Sequence, residues 1–138
     1  IVEKIMSTPV ITVTPKTPLE EAARIMADKK IGGLPVVDGD NMVGIITESD
    51  LFKIFVDLLG ARRRGVRATL IVPDIKGQLA GMTSAIAIKG GNIVALSTLE
   101  GAKPGTFEVM LKASDLDLAT VQETLGRLAG EIIDIREA

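Results

Sequence analysis

The hydrophobic pattern in the first half of the chain predicts a β-hairpin. Two short apolar runs, at residues 34–37 and 42–46, are separated by the turn residues Asp38-Gly39-Asp40-Asn41. A further apolar stretch at residues 10–13 follows Pro9 and predicts a brief strand. The first half therefore carries three predicted strands, and a tight turn joins the last two.

Apolar residues at helical spacing predict one helix on each side of the hairpin. The first has Pro18 at its first position, Thr17 as its N-cap and Glu20 completing a capping box, and Gly32-Gly33 ends it. The second covers residues 48–59. The apolar positions are Leu19, Ala22, Ala23 and Met26 in the first helix and Leu51, Ile54, Phe55, Leu58 and Leu59 in the second. The order β-α-β-β-α makes a small unit, which we expect to dock against a second, similar unit.

The pattern of the second half predicts six elements in the order βαββαβ. Strands are predicted at residues 66–72, 92–98, 106–113 and 131–136, and helices near residues 79–86 and 118–128. In the third strand Phe107, Val109 and Leu111 alternate with Glu108, Met110 and Lys112. This order is the ferredoxin-like split motif, which places both helices on one face of an antiparallel sheet. The predicted fold class is α+β.

Composition argues against catalysis and against several classes of partner. The 138 residues include no Cys and no His, so thiolate chemistry and the commonest general base and metal ligand are absent. The formal net charge of −2 gives no overall attraction to nucleic acid. The chain has no signal-peptide pattern and no apolar run long enough to cross a bilayer, so we expect a cytoplasmic protein with no membrane partner.

The junction between the hairpin and the second helix is the first candidate site. The second run of the hairpin continues into Thr47-Glu48-Ser49-Asp50, where the helix begins. Such a junction gathers backbone N–H groups and side-chain oxygens, which suit a phosphate or a ribose. Thr47 and Asp50 also form a Thr-x-x-Asp pair, which is equally consistent with a plain helix cap. The turn at residues 38–41 lacks the later Gly and Glu of a calcium loop, and we predict no metal site.

Residues 1–60 resemble a cystathionine-β-synthase (CBS) motif. The resemblance is carried, in order, by Met6-Ser7-Thr8-Pro9-Val10-Ile11-Thr12-Val13, the helix at 17–30, Gly33-Leu34-Pro35-Val36-Val37-Asp38 and Gly44-Ile45-Ile46-Thr47-Glu48-Ser49-Asp50-Leu51. CBS motifs work in pairs and often bind adenosine compounds, so the resemblance implies AMP, ADP, ATP or S-adenosylmethionine as a ligand and no required cofactor. It also implies that Thr47 contacts phosphate and that Asp50 accepts the ribose hydroxyls. The backbone around Ile11, Thr12 and Pro35 would line the base pocket.

Residues 61–65 are predicted to be a linker between domains at residues 1–60 and 66–138. Arg62, Arg63 and Arg64 stand there between two glycines, and the simplest interpretation is a solvated connection. A contact with a bound polyphosphate or with an acidic partner surface is the alternative. Three arginines without aromatic stacking residues make a poor nucleic-acid patch, so we expect no nucleic-acid partner.

The second half resembles an ACT domain over residues 66–137. The matching residues are Val72-Pro73-Asp74-Ile75-Lys76-Gly77-Gln78-Leu79 and Gly91-Asn92-Ile93-Val94. ACT domains are regulatory modules that often bind amino acids between paired copies. Matched by position, the ligand loop comprises Asp74, Gly77, Gln78, Leu79 and Asn92. A glycine at a strand-to-helix turn lets a ligand approach backbone N–H groups. The family often has Pro where this chain has Lys76, and a simple turn glycine is the other interpretation of Gly77.

A CBS motif followed by an ACT domain resembles the C-terminal part of CBS–CBS–ACT regulators, which include acetoin-utilisation-type proteins. That arrangement implies a first CBS motif before residue 1. We expect a ligand-sensing regulatory protein that forms homodimers through its CBS and ACT faces and is not an enzyme. A ligand-free assembly module is the second hypothesis. An enzyme ranks last, because the carboxylates and lysines show no recognisable catalytic spacing.

Overall fold

The computed structural model describes residues 9–138. The start of the CBS-like motif, Met6-Ser7-Thr8, lies outside the described residues. By its internal contacts the chain divides into two compact units, Ile1–Phe55 and Val56–Ala138. The chain is α+β, with helices and antiparallel sheets. Within residues 9–138, none of the helices is both long enough and apolar enough to cross a membrane.

The first unit is built around the predicted hairpin. Its elements are α1 (Leu19–Lys29), β1 (Gly33–Asp38), β2 (Asn41–Thr47) and α2 (Glu48–Leu58), and the division between the units falls within α2. Strands β1 and β2 pair antiparallel from Gly33↔Thr47 to Asp38↔Asn41, so the hairpin is confirmed. Gly39 takes a positive φ of 60° in the two-residue turn, a conformation that glycine adopts without strain.

The strand predicted at residues 10–13 is reduced to a single parallel bridge between Val13 and Val36. Val13 N–H donates to the Pro35 carbonyl at 3.0 Å, and Val37 N–H donates to the Val13 carbonyl at 2.8 Å. The next bonds of a parallel ladder would need an N–H from Pro35 on one side and from Pro15 on the other. Proline has no N–H, so the ladder cannot extend in either direction.

Both ends of α1 differ from those that the sequence predicts. Pro18 stands at the N-cap position and no side chain caps the helix, because the Thr17 hydroxyl accepts a hydrogen bond from the Thr14 N–H instead. The helix ends at Lys30, which takes the left-handed conformation at φ 53° before Gly32 is reached. The capping box with Glu20 and the glycine stop are therefore wrong.

The second unit has its six elements in the predicted order. They are β3 (Val66–Pro73), α3 (Gln78–Ile88), β4 (Asn92–Glu100), β5 (Thr106–Ser114), α4 (Leu118–Gly126) and β6 (Glu131–Glu137). The four strands form one antiparallel sheet in the order β4-β5-β3-β6. Its helix-side core is aliphatic and comprises Val66, Ala68, Leu70, Val72, Met82, Ile86, Val109, Leu111, Ala113, Val121 and Leu125.

The other face of this sheet is also partly buried. Thr69, Met110 and Ala95 are less than 9% exposed there, and Lys112 is 3% exposed. A Cβ placed on Gly60 would lie 2.9 Å from Val94 Cγ1 and 3.4 Å from Ala95 Cβ. The turn that follows α2 therefore packs on this outer face, within the second unit.

Residues 61–65 are held at both ends. The end of α2 is a Schellman motif, in which Gly60 N–H donates to the Asp57 carbonyl and Ala61 N–H to the Val56 carbonyl, both at 3.0 Å. Gly65 and Ala138 exchange two backbone hydrogen bonds of 2.9 and 2.8 Å. Between these points Arg62, Arg63 and Arg64 are exposed, so their side chains are available to solvent.

Candidate functional site

The start of α2 is a reciprocal cap formed by Thr47 and Asp50. Asp50 Oδ2 accepts hydrogen bonds from the Thr47 N–H at 2.9 Å and from the Thr47 hydroxyl at 2.8 Å. In return the Asp50 N–H donates to Thr47 Oγ1 at 3.3 Å. This is a capping box with Asp at the third helical position, so the helix-cap interpretation of the sequence holds.

The same bonds stabilise the charged form of Asp50. The hydroxyl of Thr47 is the main cause and its backbone N–H the second, and together they hold the pKa of the Asp50 carboxyl below its ordinary value. Lys53 adds a smaller electrostatic contribution in the same direction. Asp50 is therefore an anion that accepts hydrogen bonds, and within residues 9–138 the bonds described for its side chain engage Oδ2 alone.

Few backbone N–H groups at the start of α2 remain open to an anion. The Glu48 N–H donates to the Gly32 carbonyl at 3.1 Å, and those of Thr47 and Asp50 are used in the cap. Among the backbone N–H groups of residues 47–50, only that of Ser49 takes part in none of these bonds within the described residues. The start of α2 therefore offers a phosphate fewer free N–H donors than the sequence pattern indicated.

Thr47 shares one face of the hairpin with Pro35. Gly33 lies opposite Thr47, and Pro35 lies opposite Ile45. Residues two apart on a strand point to the same side, so these four residues share a face. The core of the unit lies on the other side, around the buried Leu34. Ile45 is 53% exposed, so this face carries apolar surface beside the Thr47 hydroxyl.

Ile11 and Thr12 reach the same strand through the Val13 bridge. Val13 bonds to Pro35 and Val37, so the two preceding residues lie near the Pro35 end of β1. Ile11 is half-buried against the core of the unit, whereas Thr12 is exposed. The register and the cap thus connect Pro35, Thr47 and Asp50, and the Val13 bridge places the backbone of Ile11 and Thr12 beside β1 in the same unit. Sequence reasoning missed Ile45, which the register opposite Pro35 would have indicated.

The predicted amino-acid loop lies around the start of α3. Gly77 has a φ of 85° at the N-cap, with no side-chain cap, and a Cβ there would meet no atom within 4 Å. Asp74 is exposed, and its N–H donates to the Gly105 carbonyl at 2.9 Å. The Gln78 amide donates to the Leu128 carbonyl at 3.0 Å, and Leu79 packs against the core. Four of the five residues are therefore close together.

Asn92 does not join the other four within one chain. It begins β4 opposite Ser114, whereas the Asp74 loop follows the end of β3, where Pro73 lies opposite Thr106. Ser114 and Thr106 are the two ends of β5. At about 3.3 Å per residue, the length of that strand separates Asn92 from the loop.

Within residues 9–138, no group of three or more acidic side chains is placed to hold a metal ion. Lys112 is a buried charged residue that sequence reasoning did not single out. Its side-chain nitrogen donates to the Gly60 carbonyl at 3.0 Å. The alternating pattern of β5 gave no signal for this contact, because its partner lies 52 residues earlier in the chain.

Residues 2–57 match the family model of the CBS domain. This part of the chain is a CBS domain. The relatives include the inosine-5'-monophosphate dehydrogenase of Thermoplasma acidophilum, which is 49% identical over 49 residues, covering 36% of this chain and 10% of that protein. The CBS domain-containing protein YhcV of Bacillus subtilis is 42% identical over 50 residues, covering 36% of each chain. An uncharacterized protein of Methanocaldococcus jannaschii is 37% identical over 73 residues, covering 53% of this chain and 39% of its own length.

The chain therefore spans between 10% and 39% of the length of these relatives. CBS domains are typically regulatory and ligand-binding. The similarity to the dehydrogenase concerns the CBS part, so it carries no dehydrogenase activity over to this chain.

Proposed function

We propose that this chain is a ligand-sensing regulatory protein whose CBS domain binds an adenine nucleotide or an adenosyl compound. The observation that supports this most directly is the shared face of Pro35, Ile45 and Thr47, with the Asp50 carboxylate beside it. Apolar surface suits an adenine ring, and an anionic acceptor suits the two hydroxyls of a ribose. The ligand class is therefore an adenosine compound with a free ribose.

Asp50 is the proposed ribose acceptor and Thr47 the proposed phosphate contact. Asp50 Oδ2 is engaged by Thr47, so the ribose hydroxyls would use Oδ1 and share Oδ2. A phosphate at this point would have the Ser49 N–H as a donor, and the Thr47 hydroxyl could donate to it only by giving up its bond to Asp50 Oδ2. With so few donors, the ribose and the base would contribute more to affinity than the phosphates. AMP is then expected to bind about as well as ATP.

The proposed site needs a second wall. The hairpin face is open on the side away from Leu34, and Ile45 is 53% exposed there. A second CBS motif, from elsewhere in the same polypeptide or from another copy, is the proposed cover. Closure over the ligand would bury the apolar ring, and that burial supplies most of the affinity.

For the second unit we propose an ACT-like module that takes an amino acid and associates with a second copy. Support comes from the order βαββαβ and from the single antiparallel sheet with strand order β4-β5-β3-β6. A ligand held by both Gly77 and Asn92 would have to lie between two copies, because one chain places them at opposite ends of β5.

A ligand-free assembly module is the competing function, and two observations favour it. The Thr47–Asp50 pair is fully explained as a helix cap, and Gln78 is already bonded to Leu128. Regulation requires that the ligand bind two arrangements of the protein with different affinities. An assembly module would show concentration-dependent stability and no response to small molecules.

The two functions are separated by a thermal-shift and calorimetric screen of the natural full-length protein. The ligands are AMP, ADP, ATP, S-adenosylmethionine and the common amino acids, with GMP as the base control. The proposal expects saturable binding of at least one adenosine compound and none of GMP. Protection by no adenosine compound would reject the nucleotide site. Protection by amino acids alone would assign sensing to the second unit.

A further inference from the structure

A row of three cations crosses the outer face of the sheet in the second unit. Arg67 on β3 lies opposite Lys112 on β5 and opposite Arg136 on β6. The neighbours of Arg67 and Lys112 along their strands belong to the helix-side core, so this row lies on the other face. Adjacent strands are only about 4.8 Å apart. Like charges placed directly opposite each other destabilise a sheet, so stability does not explain the row.

The Asp134 carboxylate neutralises part of this row. It accepts hydrogen bonds from Arg136 Nε at 2.8 Å and from Arg136 Nη2 at 2.6 Å, and it lies 3.8 Å from Arg67 Nη1. The bonds from Arg136 are the main cause of the lowered pKa of Asp134, so this carboxylate stays charged. Within residues 9–138 it is the one acidic partner of the row, so three cations share one anion.

The turn that follows α2 adds two further cations beside the row. The Gly60 carbonyl accepts hydrogen bonds from the Arg63 N–H and from the Lys112 side chain, both at 3.0 Å, so the backbone of Arg63 lies beside the Lys112 ammonium. Arg62 and Arg63 are exposed, and neither forms an ion pair within the part of the chain that the structure describes. Their charges therefore add to the excess of positive charge at this end of the sheet.

The basic surface is defined here as the four arginines of the row and the turn, Arg62, Arg63, Arg67 and Arg136. The side chains of Arg67 and Arg136 are 39% and 66% exposed, whereas Lys112 is buried and holds the turn in place. A guanidinium group presents a planar fork of N–H donors that matches the oxygens of a phosphate or a carboxylate. Because hydrogen bonds already fix the backbone of this turn, a ligand would not have to order it.

The chemistry of this surface indicates which anion fits. A phosphate group carries a charge of about −1.5 to −2 and three acceptor oxygens, whereas a carboxylate carries one charge, so phosphates neutralise closely spaced cations better. Single-stranded nucleic acids need aromatic side chains on which their bases stack. Phe107 is the one aromatic residue from 56 to 138, and it packs against the helix-side core. We infer that the basic surface binds a chain of phosphate groups, either inorganic polyphosphate or the phosphate tail of a nucleotide.

This inference goes beyond the proposed function and uses no residue of the adenosine site or of the amino-acid loop. Asp50→Asn, which removes the proposed ribose acceptor, should therefore keep its affinity for tripolyphosphate. A loss in Asp50→Asn as large as that in a variant of the basic surface overturns the inference, because the phosphates would then lie at the adenosine site.

Calorimetric titration of the full chain with sodium tripolyphosphate is the first test, with pyrophosphate and orthophosphate for comparison. We expect saturable binding that tightens with the number of phosphates and weakens as sodium chloride is raised, because several arginines share the ligand. Poly-glutamate is the carboxylate control. No saturable binding of tripolyphosphate, or tighter binding of poly-glutamate, overturns the inference.

Arginine-to-glutamine variants locate the site. Arg63→Gln and Arg136→Gln should each weaken tripolyphosphate binding by about tenfold, since hydrogen bonds between charged groups are among the stronger ones. Arg127→Gln on α4, whose side chain is 73% exposed and pairs with Glu123, should weaken it by no more than about twofold. Circular dichroism checks that each variant is folded, and Arg63 is suited to substitution because it is exposed. Equal losses in Arg63→Gln and Arg127→Gln overturn the inference.

Titration of Asp50→Asn with ATP identifies the source of the phosphates. ATP that binds about as tightly as tripolyphosphate, and that loses affinity when Arg63→Gln is added, supports the inference with a nucleotide tail as the ligand. Binding of tripolyphosphate without binding of ATP supports it with an inorganic chain as the ligand.

Discussion

The side-chain nitrogen of Lys112 donates a hydrogen bond of 3.0 Å to the carbonyl of Gly60. Lys112 lies near the end of β5, and Gly60 lies in the turn that follows α2. A cation at the C-terminal end of a helix is favoured by the helix dipole as well as by the hydrogen bond. The contact therefore fixes the turn after α2 onto the outer face of the sheet.

Gly60→Ala is expected to destabilise the second unit more than a glycine substitution at an open turn does. Gly60 has a φ of 62°, and a Cβ there would lie 2.9 Å from Val94 Cγ1. A non-glycine residue in this conformation costs about 1–2 kcal/mol, and the overlap adds about 1 kcal/mol or more. Urea unfolding monitored by circular dichroism measures the total loss in the free energy of unfolding.

Gly90→Ala is the matched control for that measurement. Gly90 has a φ of 88°, and a Cβ there would meet no atom within 4 Å. Only the conformational cost of about 1–2 kcal/mol should then remain. Equal losses in Gly60→Ala and Gly90→Ala would show that the turn after α2 does not pack on the sheet.

Lys112→Ala is expected to lower the free energy of unfolding by about 2 kcal/mol or more, since it removes a buried stem and a hydrogen bond to a charged group. Lys89→Ala, at an exposed position, should change it by no more than about 0.5 kcal/mol. Lys112→Met keeps the apolar stem of the side chain, so its free energy of unfolding should lie between those of Lys112→Ala and Lys89→Ala. If Lys112→Met proves more stable than the natural chain, the cost of burying the amine exceeds the value of its contact with Gly60.

Acid should remove the contribution of Asp50 to stability. The pKa of Asp50 is lowered in the folded chain, so the stabilisation is present above the unfolded pKa and is lost as the pH falls through the folded pKa. The unfolding midpoint of Asp50→Asn should therefore be below that of the natural chain at pH 7, and the two should converge below about pH 4. Thermal melts of both proteins at stepped pH values measure the difference between their unfolding midpoints.

Thr47→Val distinguishes the cap from a general effect of charge. It removes the hydroxyl that is the main cause of the lowered pKa of Asp50, and it leaves the carboxylate in place. We expect most of the acid dependence attributed to Asp50 to disappear in this variant. An acid dependence that persists unchanged in Thr47→Val would mean that Thr47 does not stabilise the charged carboxyl.

The elements of the fold were predictable where one periodicity dominated. The hairpin at Asp38–Asn41 and the position of β5 are examples, because turn residues and apolar runs marked them. The alternation predicted for β5 does not extend to its burial, since both faces of this strand are covered from Val109 to Ala113. The reduction of the strand at residues 10–13 to a single bridge could not be predicted from its own apolar residues. Its length depends on Pro35, a residue of the strand beside it. The end of α1 at Lys30 likewise depended on a left-handed conformation that is uncommon for lysine.

The candidate site was predictable to the extent that it is local in sequence. Thr47 and Asp50 are three residues apart, so their contact follows from helix geometry. Asn92 could not be placed relative to Gly77 in the same way, because their separation depends on how β3 and β4 align with β5. Lys112 was missed for the same reason, since its partner Gly60 is remote in sequence.

We propose that Asp50 holds the ribose of an adenosine compound. Its most direct test is calorimetric titration of the natural full-length protein with AMP and with 2′,3′-dideoxy-AMP. The titrations are repeated on Asp50→Asn and on Asp117→Asn, the N-cap of α4, where the carboxylate also accepts a backbone N–H.

We expect the natural chain and Asp117→Asn to bind AMP about tenfold or more tightly than the dideoxy compound, and Asp50→Asn to lose most of this preference. A preference for AMP that survives unchanged in Asp50→Asn, or its absence from the natural chain, would show that Asp50 does not hold the ribose.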